Sequence, residues 1–371
     1  MGLSAAVELR RRGASVTLLD QHALPHALGS SHGETRVIRT AYFEHPNYVP
    51  LARRAWDAWV RIGEAEGEEL LRPTGGLYLG RPESALISGS IEAALRGRLP
   101  YQVTTPHDVR SHYTQVFLPD DFVAFFEEQC GVLFAARCLA KLKAIAMREG
   151  VEVLAPARVS SWNAANGRVT VLTDDGRHEG DALVLCPGPW SSGLIAGLGI
   201  PLRVSRQVVG FTSPANPEPF TAGRLPVMCM ESTSGEFYYT IPICPGVGER
   251  TQFFKCGNHR LGETIDPDSP GRAPNPEDNS SFQPGLREFL PDAAEPVVAM
   301  DVCLYTNTPD GHFVLDRHPE RPNVVIGCGF SGHGFKFGPV IGEALAELAL
   351  EGSTKLPVDF LSARRLTAPK T

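Results

Sequence analysis

The sequence predicts an α/β fold in which a parallel α/β domain is interleaved with a second, mostly β domain. The chain begins with a helix, a turn and a short apolar strand, and it closes with a strand, a glycine-rich turn and an apolar helix over residues 323–350. Between these ends, turn-rich segments with β patterning alternate with α/β segments. This alternation favours two interleaved domains rather than two consecutive ones, and 371 residues are enough for both.

The first element is a predicted helix over residues 3–12, ended by Gly13 and followed by a buried strand over residues 15–19. In a dinucleotide-binding unit, an acidic residue about twenty positions after the glycine-rich turn accepts the ribose hydroxyls. Gly2 and Asp20 have that spacing. An aspartate that ends a strand is also ordinary turn chemistry, so both interpretations stay open.

A complete dinucleotide-binding unit has a hydrophobic strand and two further glycines before the glycine at position 2. This sequence starts at Met1, so we expect the first strand of that fold to be missing. Either the start is drawn too late or this polypeptide lacks part of its cofactor site.

The middle of the chain is predicted as a helix over residues 51–66 followed mainly by strands. The predicted strands span residues 75–80, 151–154, 169–173, 182–186, 228–242, 252–255 and 297–305. Residues 264–283 are rich in Pro, Asp, Asn and Ser, which predicts an excursion on the surface.

The closing stretch combines Cys303 in the sequence CLYT with the glycine-rich turn GFSGHGFKFG, which contains Lys336. It places a thiol, an aromatic residue and a lone lysine within about one strand–turn–helix unit. The glycines allow close approach to a flat or anionic ligand, and the helix predicted over residues 340–350 begins beside them. A structural turn explains the glycines equally well when they are taken alone.

Bulk properties exclude several classes of function. A formal net charge of −7 without any cluster of Lys and Arg argues against nucleic-acid binding. The sequence has no apolar run of membrane length and no secretory signal, and its eight cysteines lack CxxC spacing, so we expect a cytoplasmic protein. His22, His26 and His32 are separated by turn residues, and we predict no metal site.

These motifs together resemble the sarcosine oxidase family of flavin-dependent amine oxidases, which includes monomeric sarcosine oxidase, N-methyltryptophan oxidase and pipecolate oxidase. The resemblance extends from Gly2 to about Leu366. It is carried by GSSHGETRVIRTAY from Gly29, RQVVGF, FYYTIP, KCGNH, CLYTNTPDGHFVLDRHP from Cys303, and GFSGHGFKFG. The last two are highly specific in that spacing.

The resemblance implies an FAD-binding dinucleotide fold interleaved with a mostly β substrate domain. Residues 1–72, 129–204 and 301–371 would form the FAD-binding domain, and residues 73–128 and 205–300 the substrate domain. The family attaches FAD covalently through a cysteine of the C-x-Y-T motif, which is Cys303 here. A thioether prevents loss of the cofactor and raises its reduction potential. A lone cysteine in a strand is otherwise a small buried hydrophobe.

Substrate and catalytic roles are implied for a further set of residues. Arg39 and Lys336 match a pair that binds the substrate carboxylate, for which a forked guanidinium and an ammonium are suited. Tyr305, Tyr239 and Met230 would form apolar walls. For the last two, core packing is by far the better explanation without the preserved M-x8-Y spacing. Lys255 is implied to activate oxygen, His259 to shape the substrate site, and Arg36 to lie against the flavin ring. Glu44 could be a counter-ion of the arginines, and a solvated loop glutamate is an equally good interpretation of it.

The remaining residues are implied to bind the cofactor. They are Gly2, Asp20, Ser30, Thr35, Val159, Gly188, Trp190, Gly332, His333 and Gly334, in addition to Arg36, Lys336 and Cys303.

The reaction implied is oxidation of an N-methyl or cyclic secondary amino acid, sarcosine-like, to an imine that water hydrolyses, with O2 reduced to hydrogen peroxide. N-methyltryptophan and L-pipecolate are alternative substrates. The alternative from a different class is an N-terminally truncated, flavin-free remnant without catalysis. A monomer is expected, with a small amino acid and O2 as its partners.

Overall fold

The structure, a computed structural model, describes residues 1–259, 261–269 and 273–367. Its helices are α1 Gly2–Arg11, α2 Tyr48–Glu66, α3 Ala85–Gly97, α4 Pro106–His112, α5 Ala135–Arg148, α6 Ser191–Leu194, α7 Gln283–Phe289, α8 Gly338–Leu350 and α9 Arg364–Thr367. The strands are β1 Thr17–Leu19, β2 Arg36–Arg39, β3 Leu71–Pro73, β4 Gly76–Gly80, β5 Tyr101–Thr104, β6 Val123–Glu127, β7 Cys130–Leu133, β8 Glu152–Leu154, β9 Val159–Ala165, β10 Arg168–Thr173, β11 Gly176–Gly180, β12 Leu183–Leu185, β13 Arg203–Thr212, β14 Val227–Glu231, β15 Phe237–Ile241, β16 Phe254–Asn258, β17 Val297–Asn307, β18 Val314–Arg317 and β19 Val324–Cys328.

An eight-stranded sheet of order β17-β13-β16-β15-β14-β4-β6-β5 is the largest element of the described chain. Neighbouring strands are antiparallel except β14 and β4, which are parallel. Its strands come from chain segments far apart in sequence, interleaved with α/β elements. The mixed α/β architecture confirms the predicted fold class, whereas the five-segment division into domains stays a prediction.

The parallel α/β part contains two small sheets. In one, β1 pairs with β8 in parallel, and in the other β12 pairs with β19 in parallel while β18 adds an antiparallel edge. The residues of β1 and of β12 line the same large cavity. The strand over residues 15–19 was predicted to be buried, but Thr17 is exposed and Leu18 and Leu19 are only half-buried. The reason is that this strand borders the cavity rather than the middle of one continuous sheet.

Helix packing follows from the apolar pattern. Helix α2 buries one face at helical spacing, including Leu51, Ala55 and Trp59, and ends at Gly67, whose φ of 60° closes its C-terminus. Helix α8 is apolar around most of its circumference and packs on α1, where a Cβ at Gly342 would lie 2.5 Å from the Cβ of Ser4. This close packing places the first turn of α1 beside the glycine-rich turn that precedes α8.

Most element predictions are confirmed with small shifts of their ends. The predicted strand over residues 252–255 is displaced to Phe254–Asn258, because residues 250–252 form a short 3-10 turn. The surface excursion over residues 264–283 contains a 3-10 helix at Pro276–Ser281, and residues 270–272 of it lie outside the described residues. None of the helices in the described part of the chain is long and apolar enough to cross a membrane.

Candidate active site

A large cavity of about 1880 Å³ runs between the parallel strands and the face of the eight-stranded sheet. Sites for drug-sized ligands usually occupy about 300–1,000 Å³, so this cavity suits a longer ligand or two ligands together. Its lining includes β1, Asp20 and the first turn of α1, and also β2, β15 and the turn before α8.

The structure brings almost every predicted site residue to this cavity. The predicted site residues that line it are Gly2, Asp20, Ser30, Thr35, Arg36, Arg39, Val159, Gly188, Trp190, Tyr239, Lys255, His259, Cys303, Tyr305, Gly332, His333, Gly334 and Lys336. They come from strands, turns and helix termini spread over more than 300 positions of the chain. Their individual roles stay predictions.

Met230 is the exception, and the prediction that it forms a wall of the cavity is wrong. In the pairing of β14 with β15, Cys229 lies opposite Tyr239, whereas Met230 lies opposite Tyr238. Cross-strand partners share a face of a sheet, so Met230 points with Tyr238 into the core on the far side. Cys229 is the residue of β14 that reaches the cavity.

Two buried cations meet at the end of the cavity near β2. Arg39 is 5% exposed and Lys336 is 6% exposed. The Arg39 guanidinium lies 4.0 Å from the centre of the Tyr42 ring, donates to the Ala41 carbonyl at 3.3 Å, and pairs with one oxygen of Glu44. The predicted counter-ion role of Glu44 is thereby confirmed for Arg39.

Among the described residues, the two cations contact only one carboxylate, Glu44. Burial raises the pKa of Glu44, but Arg39 and other nearby cations hold it at about 2, so Glu44 is an anion. The Lys336 ammonium has neutral partners, donating to the His333 carbonyl at 2.9 Å and to the Tyr42 hydroxyl at 3.4 Å. Burial and the charge of Arg39 lower the pKa of Lys336 to about 7. The pair therefore has room for one further anion.

Neutral polar groups lie next to these cations. His259 Nδ1 is 3.3 Å from the Tyr305 hydroxyl, and burial lowers the pKa of His259 to about 4. The Tyr305 ring fits because position 332 is a glycine: a Cβ there would lie 2.1 Å from the ring, and its φ is 78°. An uncharged imidazole and a phenol hydroxyl thus face the cavity, where they can hydrogen-bond an amine.

Lys255 extends from β16 into the cavity and is 5% exposed. Its ammonium donates to the Thr35 carbonyl at 3.0 Å and approaches the Thr35 hydroxyl at 3.4 Å. Burial and the neighbouring Arg36 lower the pKa of Lys255 to about 8. It is a second cationic position, on a different strand from Arg39.

Cys303 has an unusual environment for a buried thiol. Burial raises its pKa, but hydrogen bonding to His32 and the positive charge of Arg36 bring it down to about 7, whereas the pKa of the buried Cys229 is raised to about 12. A lowered pKa makes a cysteine nucleophilic near neutrality. Sequence reasoning considered His32 only as a metal ligand. The signal for its contact was its place in the motif GSSHGETR, beside Arg36.

The part of the cavity lined by the first turn of α1 and by Asp20 suits a phosphate-containing ligand. No side chain caps the N-terminus of α1 and its first turn has no acidic residue, so its amide groups and the helix dipole favour an anion. Asp20 lies at the end of β1, where its carboxylate accepts from the His22 amide at 2.9 Å. Trp190 also lines the cavity, and its indole donates to Asp268 at 2.8 Å.

The interleaved fold, the helix terminus and the acidic strand end define an enzyme of the class that binds a dinucleotide cofactor. The chain belongs to the FAD dependent oxidoreductase family, whose model matches residues 1–348. It is 36% identical to a monomeric sarcosine oxidase of Bacillus sp. over 98% of this chain and 93% of that protein. It is 29% identical to the N-methyl-L-tryptophan oxidase of Salmonella enteritidis over 94% and 92% of the two chains.

Among solved structures, the chain is similar to NikD, an amino acid oxidase essential for nikkomycin biosynthesis. The TM-score is 0.83 with 22% sequence identity, over 97% of this chain and 94% of that chain. The predicted resemblance to the sarcosine oxidase family is confirmed by these findings.

The residues present fit FAD. The cavity accommodates an extended ligand, and its lining includes the α1 terminus and Asp20 as well as the buried cations. Ser30, predicted to contact the cofactor, has a buried hydroxyl that finds no hydrogen-bond partner among the described residues. A buried polar group of this kind is expected to be satisfied by a ligand or water. The α1 amides would hold the phosphates of FAD and Asp20 a ribose. The turn over residues 30–35 would hold the flavin part, nearer the cations.

Proposed function

We propose that the protein oxidises a secondary amino acid, N-methyl or cyclic, with FAD as its resident cofactor and O2 as the final acceptor. The observation that carries this proposal is the pair of buried cations Arg39 and Lys336, of which only Arg39 contacts a carboxylate of the described residues, that of Glu44. The neutral groups of His259 and Tyr305 line the same cavity. The relatives named above oxidise sarcosine and N-methyl-L-tryptophan, both secondary amino acids, which supports this substrate class.

Arg39 and Lys336 bind the substrate carboxylate, since a forked guanidinium and an ammonium together fix both its position and its plane. The walls around Tyr239 and Tyr305 exclude water from the amine end. When bound, FAD would supply the acceptor for a hydride equivalent, two electrons and one proton, from the carbon next to the amine nitrogen. The product imine is then hydrolysed by water.

The amine must be uncharged to react, and the same cations favour that form. Positive potential from Arg39 and Lys336 lowers the pKa of a nearby ammonium. The pKa of His259 is about 4, so its imidazole adds no charge and can hydrogen-bond the free amine near neutral pH.

Lys255 serves the oxygen half-reaction. Its buried ammonium, held by Thr35, stabilises negative charge that develops as O2 is reduced to hydrogen peroxide. A side chain that is fixed before the reaction supplies this stabilisation without reorganisation.

Cys303 would hold the cofactor through a thioether to the 8α-methyl group. The thiol and the methyl group would each give up one hydrogen, and O2 would take up the two electrons and two protons as hydrogen peroxide. The lowered pKa of Cys303 supplies the thiolate that this bond requires. A monomeric state and a cytoplasmic location stay predictions.

The proposal is tested by measuring peroxide release from purified protein with sarcosine, other N-methyl amino acids, L-pipecolate and L-proline. We expect turnover with at least one secondary amino acid and none with the matched amine that lacks the carboxylate. Equal turnover with and without the carboxylate would remove the role assigned to Arg39 and Lys336. N-methyltryptophan as the preferred substrate would assign the alternative substrate of the same class.

A further inference from the structure

Glu127 is a buried carboxylate that the mechanism above does not use. It is the last residue of β6 and only 1% exposed. One of its oxygens accepts three hydrogen bonds, from the Thr40 amide at 3.2 Å, the Thr40 hydroxyl at 2.8 Å and the Ala41 amide at 2.8 Å. The other oxygen accepts from the Tyr78 hydroxyl.

All four contacts are donors, which is the set that an ionised carboxylate satisfies. Burial raises the pKa of Glu127, and these hydrogen bonds and the charge of Arg39 oppose that rise. Burying a carboxylate is costly unless it is hydrogen-bonded on both oxygens. Here both oxygens are used, and three of the four bonds go to one short segment, residues 40–41.

That segment directly follows Arg39. The Ala41 amide is held by Glu127, and the carbonyl of the same residue accepts from the Arg39 guanidinium at 3.3 Å. Glu127 therefore fixes the turn whose carbonyl fixes the guanidinium. On its other side the guanidinium is held by Glu44. The two contacts leave Arg39 one orientation toward the cavity.

We propose that Glu127 is a positioning residue for substrate binding, which acts through the turn at residues 40–41 to orient Arg39 toward the substrate carboxylate. This inference rests on the proposed function, because it requires Arg39 to bind that carboxylate. Its action depends on the reach of the side chain rather than on its charge.

Two substitutions separate reach from charge. Glu127→Asp keeps the charge and withdraws the oxygens from residues 40–41 by about one methylene. Glu127→Gln keeps the length: its carbonyl can accept from the two amides while its NH2 group faces Tyr78. We expect the Asp variant to raise KM about 10- to 100-fold, the cost expected of a displacement near 1 Å. The Gln variant should stay within about threefold of the unmodified enzyme, since orientation is retained.

The experiment measures KM and kcat of the holoenzyme, its flavin content, and the dissociation constant of acetate as a carboxylate probe. Glu128→Gln, at the exposed neighbouring position, is the control and should change none of these. An unchanged KM in the Asp variant overturns the proposal. So does a Gln variant as impaired as the Asp variant, because charge would then be the cause.

Arg39→Lys distinguishes this inference from the proposed function. If Arg39→Lys leaves KM and acetate binding unchanged, the carboxylate-binding role itself fails. If Arg39→Lys raises KM but Glu127→Asp does not, only the positioning role fails. In the Arg39→Lys background, Glu127→Asp should raise KM less than threefold, because the effects of residues that act through one another are not additive. If Glu127→Asp raised KM by the same factor in both backgrounds, Glu127 would not act through Arg39.

Discussion

Replacing Lys336 with methionine should disable the enzyme and stabilise the fold at the same time. Lys336 is 6% exposed, and its ammonium donates to two neutral groups, the His333 carbonyl and the Tyr42 hydroxyl. If it binds the substrate carboxylate, removing it leaves a buried anion without one of its partners. Such truncations cost about 2–5 kcal/mol, which is roughly a 30- to 5,000-fold loss in kcat/KM.

Although Lys336→Met should lower kcat/KM, it should raise the free energy of unfolding. Burial, helped by Arg39, lowers the pKa of Lys336 from 10.5 to about 7, so the folded state binds this proton more weakly than the unfolded state does. At about 1.4 kcal/mol per tenfold change, the protonated side chain costs the fold roughly 5 kcal/mol at most. Relaxation around the charge reduces this to a few kcal/mol.

The pH dependence follows from the same difference. Between pH 7 and 10.5 the unfolded chain holds a proton that the folded chain has lost, so this group makes stability rise with pH across that window. Below pH 7, Lys336 is protonated in both states, so the full free-energy cost of burying its charge lowers stability. Lys336→Met should therefore be more stable than the unmodified protein at pH 6, and the advantage should shrink by pH 9.

Two assays on the holoenzyme check this: peroxide release for kcat/KM, and urea unfolding at pH 6 and pH 9. Lys355→Met, at an exposed position, is the control and should alter neither. A Lys336→Met enzyme with unchanged kcat/KM would refute the carboxylate-binding role. A variant equally stable at both pH values relative to the unmodified protein would refute the electrostatic argument.

Three further predictions concern other parts of the cavity. Lys255→Met should slow reoxidation of the reduced flavin by O2 by about 100- to 1,000-fold, the usual effect of removing one preorganised electrostatic group; stopped-flow traces with unchanged reoxidation would make Lys255 a structural cation. Cys303→Ala should release its flavin into the supernatant on acid precipitation, while flavin retained in the pellet would place the attachment elsewhere. Cys229→Leu should raise KM by narrowing the cavity, whereas Met230→Leu, on the far face of the sheet, should leave KM unchanged and cost less than about 1.5 kcal/mol of stability. The reverse pattern in KM would contradict the side-chain directions of β14.

The sequence predicted the α/β class and most helices and strands, and nearly all of the site residues that it predicted line the cavity. This worked because motifs such as GFSGHGFKFG carry both the turn and the chemistry within a few positions. The error at Met230 has a simple physical cause. Side chains alternate between faces of a strand, so a spacing judged one position off moves a residue to the wrong side of the sheet. The pairing of Cys229 with Tyr239 became evident only from the register.

Glu127 shows what a sequence cannot reveal. Its partners lie 49 to 87 positions away and include backbone amides, which have no signature in the sequence. A single glutamate at the end of a strand is ordinary, and only the folded chain shows that both of its oxygens are buried and used. The half-buried state of β1 was missed for a related reason, since a cavity beside a strand leaves no pattern in its residues.

The central claim is that this chain oxidises a secondary amino acid with a bound flavin, and one spectroscopic titration tests it most directly. Purified protein is titrated without oxygen, first with sarcosine and then with the other secondary amino acids, while its visible spectrum is recorded. We predict a yellow protein that at least one of them bleaches and that regains its colour in air with release of hydrogen peroxide. A colourless protein, or a flavin spectrum that none of these amines bleaches, would contradict the account.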